Sequence, residues 1–137
     1  MQFKIKILLA LAITIIGALV MNDNKTEKSK IAPIKTPDFL YKVLSQEEWI
    51  LSKKSESLSL GAIDTDFIHL STKKQLNRII KKFWDKKSYV VLRLDSKKLV
   101  GDLRFETNPG GESKYYHLYN GNIPTEAISD IIPNIIK

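Results

Sequence analysis

The sequence predicts an α+β domain, and three observations carry this prediction. Short stretches rich in aromatic and β-branched residues recur after residue 37, and polar turns separate them, as is typical of strands. One segment, residues 72–84, instead repeats its apolar residues with helical spacing. The length of 137 residues fits one domain. We therefore expect five or six strands with one main amphipathic helix.

The N-terminus has the pattern of an export signal. Lys4 and Lys6 precede residues 7–21, which carry no charge and are almost all apolar. Fifteen residues reach about 22 Å as a helix, short of the roughly 30 Å hydrocarbon layer. Residues 1–21 are thus predicted to be a signal peptide or an uncleaved membrane anchor, with a buried helix as the alternative. The protein is expected to be exported, either extracytoplasmic (periplasmic) or membrane-anchored.

A flexible lysine-rich linker is predicted next, over residues 22–36, because this segment is polar and has no apolar periodicity. The folded domain is then expected to occupy residues 37–137. Its first strand is predicted at 39–44, and Ser45 with Glu48 forms a capping-box pattern that opens a short helix with Trp49 turned inward.

The clearest helix follows a strand predicted at 67–71. Thr72 and Gln75 form a second capping-box pattern. The apolar face of the helix is predicted to consist of Leu76, Ile79, Ile80, Phe83 and Trp84. Further strands are predicted at 89–94, 99–106, 115–119 and 127–132, with turns at 95–98, 108–111 and Asn120-Gly121.

Composition excludes several kinds of site. The chain has no cysteine, which rules out disulfides, Cys-ligated zinc, Fe–S clusters and Cys nucleophiles, and with only two histidines no metal site is predicted. The net charge is +7, and seven basic residues between 73 and 87 mostly lie on the helix face opposite the apolar one. This face is either simply solvated or attracts an anionic membrane surface; nucleic acid is not expected as a partner of an exported domain. These residues are Lys73, Lys74, Arg78, Lys81, Lys82, Lys86 and Lys87.

The junction between strand 67–71 and the main helix is a candidate anion site. His69, Ser71 and Thr72 lie there, and a helix N-terminus gathers backbone N–H donors. The alternative is a core histidine with Thr72 acting only as a cap.

Two later strands offer further candidates. Alternation places Tyr115, His117 and Tyr119 on one face, either as a surface that stacks on a ring or as an ordinary half-buried strand. Arg104 and Glu106 share a face of the preceding strand, where Glu106 is either a general base oriented by Arg104 or part of a surface ion pair.

These blocks, Phe67-Ile-His-Leu-Ser-Thr72, Leu103–Glu106 and Tyr116-His-Leu-Tyr119, resemble a small bacterial family, domain of unknown function 952. Asp66 and Asn120 stand where that family usually has glycine. The resemblance implies two short sheets in a fold similar to the ADP-ribosyltransferase-like superfamily. In that superfamily a cleft between the sheets binds NAD, an early-strand polar residue holds the ribose, and a late-strand glutamate steers transfer.

Carried over by this resemblance, Glu106, His69 and His117 are the candidate catalytic residues. Ser71, Thr72, Arg104, Tyr115 and Tyr119 are the candidate ligand contacts, and NAD is a cofactor by fold resemblance only. We expect a nucleotide or another phosphorylated ligand in a cleft lined by the two histidines, with ADP-ribosyl or N-glycosidic chemistry. The alternative is a non-catalytic envelope interaction domain that uses the basic helix face.

Overall fold

The structure is a computed structural model that describes residues 32–134. One compact unit, Lys35–Lys137, contains every helix and strand described. Its elements in chain order are β1 (Phe39–Ser45), α1 (Gln46–Ser52), β2 (Ile68–Leu70), α2 (Lys73–Phe83), β3 (Tyr89–Asp95), β4 (Val100–Thr107), β5 (Lys114–Asn122) and β6 (Ile128–Asn134). The predicted α+β class and the two short sheets are confirmed.

The strands form two antiparallel three-stranded sheets. The first has the order β1-β3-β6 and the second the order β2-β5-β4. A pair of backbone hydrogen bonds joins them at their edges: Tyr41 N–H donates to the Ser71 carbonyl at 2.8 Å, and Ser71 N–H donates to the Tyr41 carbonyl at 2.9 Å. This bridge fixes where β1 and β2 meet, and the candidate site lies beside it.

Alternation along the strands gives each sheet a buried face. Leucines of β1 and β3 pack with Leu70, Tyr116 and Leu118 of the second sheet in the main core. The opposite face of β1 and β3, with Tyr41 and Val43, packs against α2. The first sheet is therefore covered on both faces, once by the second sheet and once by the helix.

Local signals define both helices. Ser45 N–H donates to Glu48 Oε2 at 2.8 Å and Glu48 N–H donates to Ser45 Oγ at 3.1 Å, so the first capping box is confirmed. Thr72 N–H donates to Gln75 Oε1 at 3.0 Å at the start of α2. Trp49 packs on the main core as predicted.

The prediction that Phe83 belongs to the buried apolar face of α2 is wrong. Leu76, Ile79, Ile80 and Trp84 contact the sheet, but Phe83 is 53% exposed. It is the last residue of α2, and no strand residue of the adjoining core cluster packs against it. It instead contributes to a cleft described below.

The prediction of a turn at Asn120-Gly121 is also wrong, because both residues lie within β5. β5 continues to Asn122, and its pairing with β4 shifts register between Val100 and Asp102, as at a β-bulge. At this irregularity Asn120 has a φ of 49°. This is a left-handed conformation that asparagine tolerates better than most residues. The turn-forming residue types therefore mark an irregularity within a strand here.

The predicted export segment, residues 1–21, and most of the predicted linker, residues 22–36, lie outside the described residues. Within residues 32–134, no helix is both long and apolar enough to cross a membrane.

Close backbone packing at the bulge leads to a first prediction. A Cβ on Gly121 would lie 1.7 Å from the Val100 carbonyl oxygen, so Gly121→Ala is expected to lower the free energy of unfolding by about 2–3 kcal/mol. Gly111→Ala is the matched control, because a Cβ there would meet its nearest atom at 3.4 Å. Chemical denaturation measures both variants, and equal stabilities would contradict the described packing.

Candidate ligand-binding cleft

A cleft of about 710 Å³ lies beside the bridge between the two sheets. Its lining comes from β1, β2, α2 and the loop between β4 and β5, residues 108–113. Of the predicted site residues, His69, Ser71 and Tyr115 line it.

A buried ion pair underlies one wall of the cleft. Lys42 Nζ lies 2.8 Å from Asp64 Oδ1 and 2.7 Å from Oδ2, and the two side chains are 7% and 1% exposed. Lys42 reaches it from the middle of β1, and Asp64 ends a short 3₁₀ turn, Ala62–Asp64. Glu48 holds that turn, because its Oε1 accepts from Gly61 N–H at 2.8 Å.

His69 is anchored twice to the same carboxylate. Its backbone N–H donates to Asp64 Oδ1 at 2.9 Å, and its ring Nδ1 lies 3.1 Å from that oxygen. Burial by itself raises the pKa of Asp64, but the hydrogen bond from His69 and the charge of Lys42 outweigh it, so the pKa lies below its ordinary value of 3.8. Asp64 is therefore an ionised hub that fixes both Lys42 and His69.

The helix α2 and the turn that follows it supply positive charge to the cleft. Arg78, Lys82 and Lys87 of the basic face line the cleft, whereas Lys73, Lys74, Lys81 and Lys86 do not. Arg78 Nη1 donates to Ser113 Oγ at 3.3 Å, which ties the helix to the 108–113 loop. Within residues 32–134, neither Arg78 nor Lys82 forms a salt bridge with a carboxylate. Their charge is thus available to an anion.

Beside the cleft, a hydrogen-bonded cluster surrounds the second histidine. His117 is only 1% exposed, and its Nδ1 lies 3.0 Å from Glu106 Oε1 while its Nε2 lies 2.8 Å from Asn108 Oδ1. The Tyr119 hydroxyl donates to the same Glu106 oxygen at 2.5 Å. Phe67 stacks on the His117 ring with centroids 4.1 Å apart. Both ring nitrogens of His117 are therefore occupied.

Hydrogen bonds within this cluster shift the pKa values of Glu106 and Tyr119. The hydrogen bond from Tyr119 and then that from His117 lower the pKa of Glu106, because they stabilise the carboxylate. The same bond to Glu106 raises the pKa of Tyr119. Glu106 therefore stays ionised and Tyr119 protonated through the neutral range.

The predicted convergence of the two histidines is present, but only one of them reaches the cleft. The His69 and His117 rings lie edge to face with centroids 5.4 Å apart. His117, Glu106 and Tyr119 are not among the lining residues. The cluster supports the cleft through the bond from His117 to Asn108, which lines it at the start of the 108–113 loop. The catalytic assignment of Glu106, His69 and His117 stays a prediction.

Three other predicted contacts have local partners. Arg104 pairs with Asp102, through Nη2 at 2.5 Å and Nε at 2.9 Å, and its guanidinium lies 4.3 Å above the Tyr119 ring, so it does not hydrogen-bond Glu106. Thr72 is the N-cap of α2 and does not line the cleft. Ser71 is buried, with its hydroxyl 3.4 Å from the Tyr41 carbonyl.

Sequence reasoning did not identify Lys42, Asp64, Arg78 or Lys82 as site residues. Lys42 carried a usable signal, since a lysine in the middle of an otherwise apolar strand needs a carboxylate partner once buried. Asp64 carried none, because Asp64 and Asp66 are equivalent in the sequence and only the tertiary structure selects one. Among residues 32–134, no group of three or more potential ligands is arranged to bind a metal ion.

The fold and the cleft define a class, a small α+β domain whose two antiparallel sheets meet beside a cation-lined cleft. The model of the family described as "Protein of unknown function (DUF952)" matches residues 43–131, so the chain belongs to this family. The predicted family membership is confirmed.

Two solved structures of one protein are similar to this chain. The crystal structure of CC0527 from Caulobacter crescentus is 26% identical, with a TM-score of 0.62, covering 72% of this chain and 88% of that one. The solution NMR structure of CC0527 is 27% identical, with a TM-score of 0.61, covering 74% and 88%. No curated protein matches the chain.

The buried ion pair leads to a second prediction. Lys42→Met leaves the Asp64 carboxylate without its cation, and Asp64→Asn leaves the ammonium without its anion, so each is expected to cost about 3 kcal/mol or more of unfolding free energy. The double variant Lys42→Met/Asp64→Asn removes both charges and is expected to cost no more than either single change. Chemical denaturation of all four proteins gives the coupling, and additive costs would contradict the contact.

Proposed function

We propose that this domain binds a small phosphorylated ligand in the cleft between α2 and the sheet junction. The observation that carries the proposal is the convergence of the three cations Arg78, Lys82 and Lys87 on one cleft of about 710 Å³. Arginine and lysine are the usual donors to phosphate oxygens, and clefts of this size accommodate a nucleotide-sized molecule.

The acidic residues of the cleft do not cancel this charge. Asp64 is neutralised by Lys42, and both Glu48 oxygens accept backbone N–H groups, from Ser45 and from Gly61. Glu112 is the remaining carboxylate among the residues that line the cleft, and it is exposed on the loop. Hydrogen bonds leave the negative charge of Glu48 in place, so Arg78, Lys82 and Lys87 face the two carboxylates Glu48 and Glu112. The lining keeps a net positive charge, which supports an anionic ligand.

The lining also offers surface for a ring. Trp84, Tyr115 and the half-exposed Phe83 line the same cleft as the cations. An aromatic face next to a cationic wall suits a ligand that combines a planar group with phosphate. The ring-stacking role predicted for Tyr119 is more readily filled by these residues, because Arg104 covers the Tyr119 ring.

We infer similarity to the ADP-ribosyltransferase-like superfamily as the finer form of this proposal. The two three-stranded sheets and a cleft next to an early strand that carries His69 support it. NAD or ADP-ribose is the corresponding ligand. ADP-ribosyl or N-glycosidic chemistry steered by Glu106 rests on the resemblance alone, since Glu106 hydrogen-bonds Tyr119 and His117 beside the cleft.

A second candidate is a non-catalytic envelope domain that binds an anionic membrane surface through the basic helix face. All seven basic residues of this face are exposed, and Phe83 among them is an exposed aromatic residue of the kind found at membrane interfaces. Export, predicted from residues 1–21, is the setting we propose for either function.

The third prediction separates the two candidates with matched charge changes. Arg78→Gln/Lys82→Gln removes two cations that line the cleft, and Lys74→Gln/Lys81→Gln removes two from the same helix outside it. Thermal denaturation of the full chain is measured with ADP-ribose, NAD and pyrophosphate. A ligand at 100 times its Kd adds about 2.7 kcal/mol, a shift of several degrees. We expect the first variant to bind at least tenfold more weakly and the second to bind like the wild type.

Two results would contradict the cleft as the binding site. Equal losses in both variants, together with a steep decrease of binding with salt, would indicate the diffuse basic face. No stabilisation by any of the phosphorylated compounds at millimolar concentration would reject a phosphorylated ligand of this kind.

A further inference from the structure

The ring of His69 is held in one orientation by two bonds to a single oxygen. The backbone N–H and ring Nδ1 both lie within 3.1 Å of Asp64 Oδ1. An ionised carboxylate only accepts hydrogen bonds, so Nδ1 must carry the proton in this contact. In the neutral ring, Nε2 is then left without a proton.

Lys42 makes the neutral ring compatible with its surroundings. A buried carboxylate without a cation would attract a second proton to the histidine, because the imidazolium would be its only counter-charge. Lys42 Nζ contacts both Asp64 oxygens at 2.7 and 2.8 Å and already balances that charge. His117 is in edge contact with the His69 ring, and the other ionisable groups that line the same cleft include Arg78, Lys82, Lys87, Glu48, Glu112 and Tyr115.

Nε2 of His69 is available to a ligand. Within residues 32–134, no protein atom hydrogen-bonds this nitrogen, and the side chain is 35% exposed on the wall of the cleft. An unprotonated nitrogen accepts hydrogen bonds and repels phosphate oxygens, which are also acceptors. It is therefore complementary to a group different from the phosphate that Arg78 and Lys82 would bind.

We propose that the Lys42–Asp64 pair fixes His69 as the Nδ1–H tautomer, and that His69 Nε2 accepts a hydrogen bond from an uncharged donor of the ligand, a hydroxyl or an N–H group close to its phosphate. Asp64 and Lys42 are positioning residues in this arrangement, since they act on the ligand only through His69. The ligand part of the proposal rests on the proposed function, whereas the tautomer does not.

The fourth prediction concerns the tautomer and needs no ligand. The chain contains only two histidines, so a two-bond ¹H–¹⁵N correlation spectrum of the full chain, in mild detergent near pH 8, shows just two rings. We expect His69 to have a protonated Nδ1 and an unprotonated Nε2. The reverse pattern, or a doubly protonated ring, would overturn the proposal on the wild-type protein itself.

A variant then tests whether Asp64 and Lys42 set this state. Lys42→Met/Asp64→Asn replaces the carboxylate by an amide, which donates as well as accepts, so His69 is expected to become a mixture of both tautomers. His117 is the internal control and should not change, because Glu106 and Asn108 hold it. Conversely, Glu106→Gln should alter His117 alone. An unchanged His69 in the double variant would show that the pair does not position the ring.

Two simple esters test the ligand part. Methyl phosphate and glycerol 3-phosphate are both phosphate monoesters, but only glycerol 3-phosphate adds hydroxyl donors. We expect glycerol 3-phosphate to bind about threefold to tenfold more tightly, the value of one hydrogen bond, and it alone to move the His69 Nε2 resonance. Equal effects of both esters would overturn the donor preference. If neither ester binds, the proposed function and the donor preference are both rejected. The tautomer result does not depend on this outcome.

Discussion

The Asp64 carboxylate is the contact on which the candidate site depends. It accepts from Lys42 of β1 and from both the backbone and the ring of His69 in β2, so it joins the two sheets at the place where their edges meet. A carboxylate that is 1% exposed is costly unless its oxygens are satisfied by charged or N–H donors. The strands supply these donors, and the cleft wall takes its shape from them.

The 108–113 loop is held beside this junction by the contacts of His117. Phe67, in the segment before β2, and Asn108, in the loop after β4, both contact the His117 ring. His117 thus acts as a buried spacer that keeps the 108–113 loop and the segment before β2 at a set separation. Glu106 and Tyr119 complete its hydrogen bonds. One histidine supports the cleft and the other faces it, although the sequence presents the two alike.

Most of the fold follows from short-range patterns. The helix spacing of Leu76, Ile79 and Ile80, and the capping residues Ser45 and Thr72, are contained within a few residues and were predictable for that reason. Bulges depend on the partner strand, which is why Asn120-Gly121 resembled a turn. Phe83 continues the helical spacing at the last residue of α2, yet it is exposed while its neighbour Trp84 packs on the core. The spacing alone does not distinguish the two.

The site was only partly predictable because its electrostatics are long-range. The alternation of β5 correctly places Tyr115, His117 and Tyr119 on one face, but exposure on that face depends on Phe67, Arg104 and a distant loop. Likewise, Lys42 and Asp64 are 22 residues apart, so no local motif pairs them. Tertiary packing also decides which three of the seven basic residues between 73 and 87 line the cleft.

A carboxyl ¹³C titration of Asp64 in the full chain tests the central contact most directly. We expect a midpoint below 3.8, because the His69 hydrogen bond and the Lys42 charge outweigh burial. A pKa lowered in the folded state means that the contact stabilises the protein above about pH 4, and that this stability is lost as pH falls through the folded pKa. A midpoint above 3.8 would mean that burial dominates and that Asp64 is not the ionised hub of the cleft.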